Sequence, residues 1–174
     1  MIEKRSLILA ALVAAIAAPV LAAEQNAVPV VLDVAAVNDA ALAAPVRAGD
    51  KGAAVLRAQI LLDRARFSPG EIDGAYGSNL RQAIAGFQAS RGVGVTGEMD
   101  APTWAALDQD HAPALVEVTL GPDDLAGPFR PVPEDTVAKA RMDALGYTSP
   151  LEALGEKFHA SPALLQQLNP GKDF

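Results

Sequence analysis

Few side chains in this sequence could carry out covalent chemistry. The chain has no cysteine and only two histidines, His111 and His159, so thiol nucleophiles, cysteine-containing zinc sites and histidine-based triads have little to draw on. The adjacent carboxylates of Asp123 and Asp124 have the chemistry of a glycosidase acid and base. They lie in a proline-rich turn without a predicted cleft, and turn formation explains them better. We therefore predict a protein that is not an enzyme and that holds no metal or cofactor.

The overall charge excludes two classes of partner. Of the 174 residues, 14 are basic and 21 are acidic, which gives a formal net charge of −7. Binding to nucleic acid requires a basic patch that neutralises phosphates, and an anionic membrane surface makes the same demand. Hydrophobic residues make up 51% of the chain but aromatic residues only 5%, so alanine supplies much of the apolar content. We expect no nucleic acid partner and no large core.

The first residues have the pattern of an export signal. Lys4 and Arg5 precede an apolar run from Ser6 to Ala18, and small residues suited to cleavage follow up to Ala23. The run is shorter than the roughly 20 apolar residues that span a bilayer. We predict a cleaved signal peptide at 1–23, a periplasmic location and no stable membrane anchor after cleavage.

The residues after the signal divide into three segments. The first is rich in alanine and valine with scattered prolines and no sustained helical period, which is typical of a linker. A short extended stretch is predicted within it at Val28–Val34. The complete division is a signal peptide at 1–23, a linker at 24–45, a helical domain at 46–108, and a proline-rich connector with a further small segment at 109–174.

The helical domain opens with an amphipathic pattern. Asp50 can cap a first helix that ends near Arg66, with apolar residues three and four positions apart on one face and Arg57 on the solvent side. The glycine-rich turn that follows, Phe67–Gly77, contains apolar side chains to bury, so we predict an ordered loop. The predicted inward-facing residues of this helix are Val55, Leu56, Gln59, Ile60 and Leu62.

Two further helices complete a predicted three-helix bundle. Asn79 and Gln82 can form a capping box for a second helix that stops near Gly92. The glycine turn after it echoes the first turn, and Asp100 can cap a third helix, Ala101–Leu107. A domain of this size is near the lower limit for independent folding. The aromatic residues expected to carry much of its core are Phe67, Phe87 and Trp104.

An ordered set of residues runs through this domain: Gln59 and Leu62, IDGAYG at 72–77, Ala83, FQ at 87–88, Gly92, TGEMD at 96–100, TW at 103–104, and Leu107. The set resembles the peptidoglycan-binding-domain-1 family, which accompanies many bacterial wall hydrolases and transpeptidases. Leu80 departs from the family, which usually places threonine at the start of the second helix. The resemblance implies non-covalent binding to wall polymer, with glycan or stem peptide in a shallow groove beside the loops.

Five polar side chains near the loops could hydrogen-bond to such a polymer or stack on it: Asp73, Tyr76, Asn79, Arg81 and Gln88. Several have a purely structural alternative. Asp73 can form a turn, Tyr76 can lie at the edge of the core, and Arg81 can be a solvated charge. Gln88 can satisfy a loop backbone instead. Trp104 is interpreted as a core residue.

The last third of the chain has a different pattern. Its prolines exclude a long helix between His111 and Pro133, while the alternation at Leu115–Leu120 predicts a strand. A short helix is predicted at Glu134–Leu145. Two more helices, each with serine as cap and proline at its first position, are predicted at Ser149–Phe158 and Ser161–Leu168.

This stretch resembles the LysM fold, a strand, two helices and a strand, whose helices typically run to an ending like Leu168-Asn169-Pro170. From Leu115 onward, including DLAGPF at 124–129 and LGYTSPLEALGEKFHASPALLQQLNPG at 145–171, it is similar to the region before the catalytic domain of Gram-negative L,D-transpeptidases. In that family a second strand and a Ser-His-Gly-Cys active site come next, whereas this chain ends at Phe174. The predicted fold class is therefore mainly α, a three-helix peptidoglycan-binding bundle followed by a small, incomplete α+β LysM-like segment.

Three functional hypotheses follow from these patterns. The leading one is a monomeric periplasmic protein that binds peptidoglycan without catalysis. The second is the amino-terminal portion of an L,D-transpeptidase that lacks its catalytic domain. The third is a periplasmic protein-interaction module, which the acidic composition permits.

Overall fold

The structure is a computed structural model that describes residues 32–109 and 111–174. The signal peptide predicted at 1–23, and the extended stretch predicted at 28–34 as far as residue 31, lie outside these residues. Within the described part no β-strand forms, and no helix is long and apolar enough to cross a membrane. The elements in chain order are α1 (Val34–Asn38), α2 (Ala53–Arg64), α3 (Ser78–Arg91), α4 (Ala101–Leu107), a 3₁₀ turn (Pro122–Leu125), α5 (Thr136–Ala140), α6 (Pro150–Phe158) and α7 (Pro162–Leu168).

Helices α2, α3 and α4 form the three-helix bundle that the sequence predicts. Phe67 packs edge-on against Phe87, with ring centroids 5.5 Å apart and ring planes at 88°. Trp104 lies in the same core, and its Nε1 donates a hydrogen bond to the carbonyl of Ala44 at 2.9 Å. The larger buried residues of this core are Leu61, Leu62, Leu80, Ile84, Phe87, Met99 and Trp104.

The predicted start of α2 was wrong. The helix begins at Ala53 after Gly52, whose φ of 111° is a conformation that suits glycine. Asp50 does not cap it, because its carboxylate accepts the backbone N–H of Arg47 at 2.9 Å and closes a tight turn before the helix. The helix ends at Arg64, close to the predicted end.

The predicted start of α3 was also wrong, while its end was confirmed. The helix begins at Ser78, with Gly77 before it and no side-chain cap, so Asn79 and Gln82 already lie inside the helix. A residue within the helix cannot take the extended backbone that a capping residue needs. At the other end Gly92 adopts the left-handed conformation, with φ of 68°, and stops the helix as predicted.

Residues 34–38, which lie in the predicted linker, form the short helix α1 and pack against α2. Val37 is fully buried there. Arg57, predicted on the solvent side of α2, is only 3% exposed. Its guanidinium donates to the carbonyl of Val37 at 3.3 Å and pairs with the carboxylate of Asp108 at 3.1 Å. The prediction for Arg57 was wrong because α1 and the end of α4 cover this side of α2.

The strand predicted at Leu115–Leu120 does not form. The side chain of Asn38 pairs instead with the backbone of Leu115, accepting its N–H at 2.8 Å and donating to its carbonyl at 2.9 Å. A strand requires a neighbouring strand to pair with, and the described residues supply none, so the predicted α+β arrangement is not supported. The helix predicted at Glu134–Leu145 shrinks to α5, because the N–H of Arg141 bonds three residues back and tightens the last turn.

The two serine-capped helices form as predicted. The hydroxyl of Ser149 accepts the N–H of Glu152 at 3.1 Å at the start of α6. The hydroxyl of Ser161 accepts the N–H of Leu164 at 3.0 Å at the start of α7. Proline occupies the first helical position in both helices, where its missing N–H costs no hydrogen bond.

Both ends of the described chain pack onto the bundle through a second hydrophobic cluster. This flank cluster covers the side of α2 that carries Leu56. The residues before the bundle and those after it both contribute side chains, so residues 111–174 are not isolated from the bundle. The other buried members of the flank cluster are Leu32, Val37, Ile72, Ala114 and Leu164.

Candidate functional site

The loop between α2 and α3, residues 70–77 and here called loop 1, is held by the side chain of Gln59. This glutamine is only 1% exposed. Its Oε1 accepts the N–H groups of Asp73 at 3.3 Å and Gly74 at 2.8 Å. Its Nε2 donates to Oδ1 of Asp73 at 2.9 Å and to the carbonyl of Ala75 at 3.2 Å. The buried amide is therefore fully paired, and it fixes the course of loop 1.

The loop between α3 and α4, residues 93–100 and here called loop 2, is held in the same way by Gln88. The Oε1 of Gln88 accepts the N–H groups of Thr96 and Gly97, each at 2.9 Å. Its Nε2 donates to the hydroxyl of Thr96 at 3.0 Å, to the carbonyl of Glu98 at 2.9 Å and to the hydroxyl of Thr103 at 2.8 Å. The echo between the two turns seen in the sequence is thus a repeated hydrogen-bonding arrangement.

Tyr76 joins the two loops. Its hydroxyl donates to the carbonyl of Gly97 at 2.5 Å, so loop 1 and loop 2 are linked directly. Burial raises the pKa of Tyr76, the positive charge of Arg81 acts in the opposite direction, and Glu98 raises the pKa further. The phenol is protonated at neutral pH already at its ordinary pKa of 10.0, so it can donate this hydrogen bond.

Gly97 is required at the junction of the loops. Its φ is 76°, a conformation that other residues rarely adopt. A Cβ atom built on Gly97 would lie 2.9 Å from Cγ of Arg81, so the side chain of Arg81 occupies the space beside the loop. Tyr76, Arg81 and loop 2 are consequently in close contact on one face of the bundle.

The structure places four of the five predicted site residues on or beside the loops. Asp73 is exposed and its Oδ1 also accepts the N–H of Ala75 at 2.9 Å, which is the turn-forming role. Asn79 is exposed, and its amide lies against Gly70. Arg81 is exposed and Tyr76 is half-buried. Asn79 and Asp73 lie at loop 1, whereas Tyr76 and Arg81 meet loop 2 at Gly97. The exposed residues of the two loops, together with Asn79 and Arg81, are here called the loop surface.

The fifth predicted residue, Gln88, lies beneath the loop surface. It is 0% exposed and its amide is occupied by loop 2, so it positions loop 2 from below. The equivalent role of Gln59 was missed, because Gln59 was predicted only as an inward-facing residue. The sequence does contain a signal for this role of Gln59. Helices α2 and α3 each carry an inward-facing glutamine, and the turn after each helix contains a polar residue directly before a glycine.

Asp100 closes loop 2 and starts α4 as predicted. Its carboxylate accepts the N–H of Thr103 at 2.9 Å and the hydroxyl of the same residue. The side-chain hydrogen bond, followed by the backbone one, holds the pKa of Asp100 below its ordinary value of 3.8. The charged form is therefore the one that stabilises the start of α4.

This low pKa predicts an acid-sensitive contribution to stability. Because the folded-state pKa lies below the unfolded-state value, the stabilisation is fully present above about pH 5 and is lost as the pH falls through the folded-state pKa. Asp100→Asn keeps a capping group but cannot titrate. We expect the decline in free energy of unfolding below pH 4 to be shallower in this variant, measured by urea denaturation from pH 2.5 to 6. Equal slopes for the two proteins would contradict the prediction.

Of the two adjacent carboxylates, that of Asp124 has the turn role that the sequence favours. Asp124 accepts the N–H of Gly121 at 2.8 Å at the start of the 3₁₀ turn and is paired with Lys157. The hydrogen bond from Lys157 lowers the pKa of Asp124, so this group has no proton to donate as a general acid at neutral pH. Both carboxylates border an open groove of about 730 Å³ between the 3₁₀ turn and α6.

The described residues offer no cluster for a metal ion. Within 32–109 and 111–174, no group of three or more histidine, aspartate or glutamate side chains is arranged to hold one. The loop surface carries an amide, a phenol, a guanidinium and carboxylates instead. These groups can donate and accept hydrogen bonds.

A family model described as "Putative peptidoglycan binding domain" matches residues 51–107. These residues form a peptidoglycan-binding domain. The match begins just before α2 and ends with α4, so it contains both buried glutamines, both loops and the complete loop surface. It lies within the domain predicted at 46–108. Helices α1 and α5 to α7 lie outside the matched residues, and the flank cluster joins Leu56 and Ile72 of the domain to side chains on both sides of it.

Proposed function

We propose that this protein binds peptidoglycan non-covalently through its loop surface, as an exported periplasmic monomer that catalyses no reaction. The observation that supports the proposal most directly is that hydrogen bonds fix the conformation of both loops. Gln59 and Gln88 hold the two loops from within, and Tyr76 ties one loop to the other. A surface that is ordered before binding loses less conformational freedom when the ligand binds.

The side chains on the loop surface suit the chemistry of wall polymer. Arg81 presents a planar set of donors that can engage a stem-peptide carboxylate or several carbonyls. The amide of Asn79 both donates and accepts, which suits sugar hydroxyls as well as peptide groups. Because the chain carries a net charge of −7, long-range attraction to an anionic polymer does not support binding. Affinity must come from short-range contacts at this surface.

Arg81→Ala is expected to weaken binding to insoluble peptidoglycan by about tenfold, the equivalent of about 1.4 kcal/mol for a lost charge-assisted hydrogen bond. The measurement is co-sedimentation of purified protein with wall sacculi over a range of sacculus concentrations. Arg91→Ala is the matched control. Arg91 is also an exposed arginine on α3, but its guanidinium lies 5.4 Å from the Phe87 ring centroid at the far end of the helix.

A loss of binding confined to Arg81→Ala supports the loop surface as the binding site. Equal losses in both variants would indicate a general charge effect, and no loss in either would exclude Arg81 from the site. Wild-type protein that stays in the supernatant at all sacculus concentrations would overturn peptidoglycan binding itself.

The absence of catalysis is supported by the lack of cysteine and by the turn role of Asp124. It is tested by incubating the protein with purified sacculi and separating the soluble fragments by chromatography. Release or rearrangement of wall fragments would contradict the proposal. Export is tested by fractionating cells that express the full chain, where recovery of the cleaved protein in the periplasmic fraction is the expected result.

A second candidate is that the chain is the amino-terminal part of an L,D-transpeptidase. The observation that favours it is the confirmed pair of serine-capped helices ending at Leu168-Asn169-Pro170, within the stretch that resembles the region before the catalytic domain. Sequencing the DNA downstream of codon 174 tests it. An in-frame domain with a Ser-His-Gly-Cys motif would support this candidate, and its absence would oppose it.

A further inference from the structure

The C-terminal helices contact the peptidoglycan-binding domain at the backbone of loop 1. The N–H of Ser161 donates to the carbonyl of Ile72 at 2.9 Å. Ala160 and Ile72 form an isolated parallel bridge at the same point. Ile72 immediately precedes Asp73, the residue that Gln59 holds. Loop 1 is therefore held by α2 from one side and by the turn between α6 and α7 from the other.

Apolar packing stabilises this contact between the C-terminal helices and loop 1. Leu164 on α7 is only 2% exposed and belongs to the flank cluster with Ile72 and Leu56. Separation of α7 from the bundle would expose all three side chains to water. It would also leave the carbonyl of Ile72 without its protein donor.

The approach of α6 to the turn that carries Ser161 depends on a glycine. A Cβ atom built on Gly155 would lie 2.9 Å from the carbonyl oxygen of Ala160, so a side chain at this position would push the turn away from its place. Gly155 thus allows α6 and the turn to pack closely. The position of the turn against Ile72 is determined by this packing together with the capping of α7 by Ser161.

We propose that α7 and the turn before it are a positioning element for loop 1, so that residues 149–168 belong to the functional peptidoglycan-binding unit and set its affinity. This inference rests on the proposed function. The helix pair itself need not touch the polymer. It acts by restricting the backbone from Ile72 to Tyr76, which carries part of the loop surface.

The test compares Leu164→Ala with Gln167→Ala in the full chain. Both residues lie on α7, but Gln167 is exposed. Hydrogen exchange is measured at Gly74 in loop 1 and at Gly97 in loop 2, whose N–H groups are held by equivalent glutamines. For Leu164→Ala we expect exchange at Gly74 to accelerate about tenfold and the sacculus Kd to rise about fivefold. Exchange at Gly97 should change less than at Gly74, because its N–H is held by Gln88, and the fluorescence of Trp104, the only tryptophan, should not change.

A second pair of variants isolates the backbone hydrogen bond. Ser161→Pro removes the N–H that reaches Ile72, and the φ of −62° at this position is compatible with proline. Ser161→Ala loses only the hydroxyl cap of α7. We expect accelerated exchange at Gly74 in Ser161→Pro beyond that in Ser161→Ala.

Faster exchange in loop 1 together with weaker binding supports the inference. Unchanged exchange at Gly74 in both Leu164→Ala and Ser161→Pro overturns it. If loop 1 loosens but the wild-type protein does not bind sacculi, the proposed function fails while the positioning of loop 1 by α7 is supported. The two failures are thus distinguishable.

Discussion

Phe87→Ala is expected to lower the free energy of unfolding by about 4 kcal/mol. Phe87 is fully buried at the centre of the bundle, where it packs edge-on against Phe67 and lies beneath the guanidinium of Arg91. Its removal deletes a large apolar side chain and leaves a cavity that a bundle of three short helices cannot refill without moving its helices. Urea denaturation followed by the fluorescence of Trp104 measures the effect.

Phe158→Ala is the control for this substitution. Phe158 is 37% exposed at the end of α6, so its truncation should cost less than about 1 kcal/mol. A protein of this kind has only about 5 to 15 kcal/mol of stability in total, and we therefore expect Phe87→Ala to be partly unfolded at 37 °C. Similar midpoints for the two variants would show that Phe87 is not the centre of the core.

Gln88→Ala is expected to cost about 3 kcal/mol. The substitution removes an amide that makes five hydrogen bonds to loop 2 and to α4. The N–H groups of Thr96 and Gly97 then lose their acceptor at the base of the loop, and buried donors without acceptors are costly. Loop 2 should also become more mobile, so binding to sacculi should weaken although Gln88 itself does not reach the surface.

Gln82→Ala separates this effect from a general effect of losing glutamine on α3. Gln82 is exposed on the same helix, and alanine is the better helix former, so its replacement should be neutral or slightly stabilising. Both variants are compared by urea denaturation and by hydrogen exchange at Gly97. If Gln88→Ala costs no more than Gln82→Ala, the buried amide is not what holds loop 2.

The bundle could be predicted from sequence because its signals are local. The spacing of apolar residues in α2 and α3 predicts two amphipathic helices, each with a buried face. Asp100, Ser149 and Ser161 cap helices whose first turns follow them directly, and Gly92 ends a helix by a conformation of its own backbone. The caps and the glycine act within one helical turn and the apolar spacing within one helix, so residues close in sequence suffice to recognise these signals.

The contacts between α2 and the residues outside the bundle could not be predicted from such local signals. Arg57 is buried because Val37 and Asp108, far away in sequence, close over it. Leu164 packs with Leu56 and Ile72 in the flank cluster, although more than half of the chain length separates it from each of them in sequence. The backbone at Leu115 pairs with a side chain of α1 rather than with a strand, because the alternating pattern of a strand does not reveal whether a partner is present.

The loop surface could be predicted in part from local sequence signals, and the rest of it depends on contacts that form only in the tertiary structure. The sequence by itself determined that Asp73, Tyr76, Asn79 and Arg81 lie beside glycine turns, and its resemblance to a family indicated the ligand. Only the tertiary structure decided that Gln88 lies beneath the loop, with Gln59 in the matching position. A buried amide must have all its hydrogen bonds satisfied, and the backbone groups that satisfy these two glutamines come together only when each loop folds back over its helix.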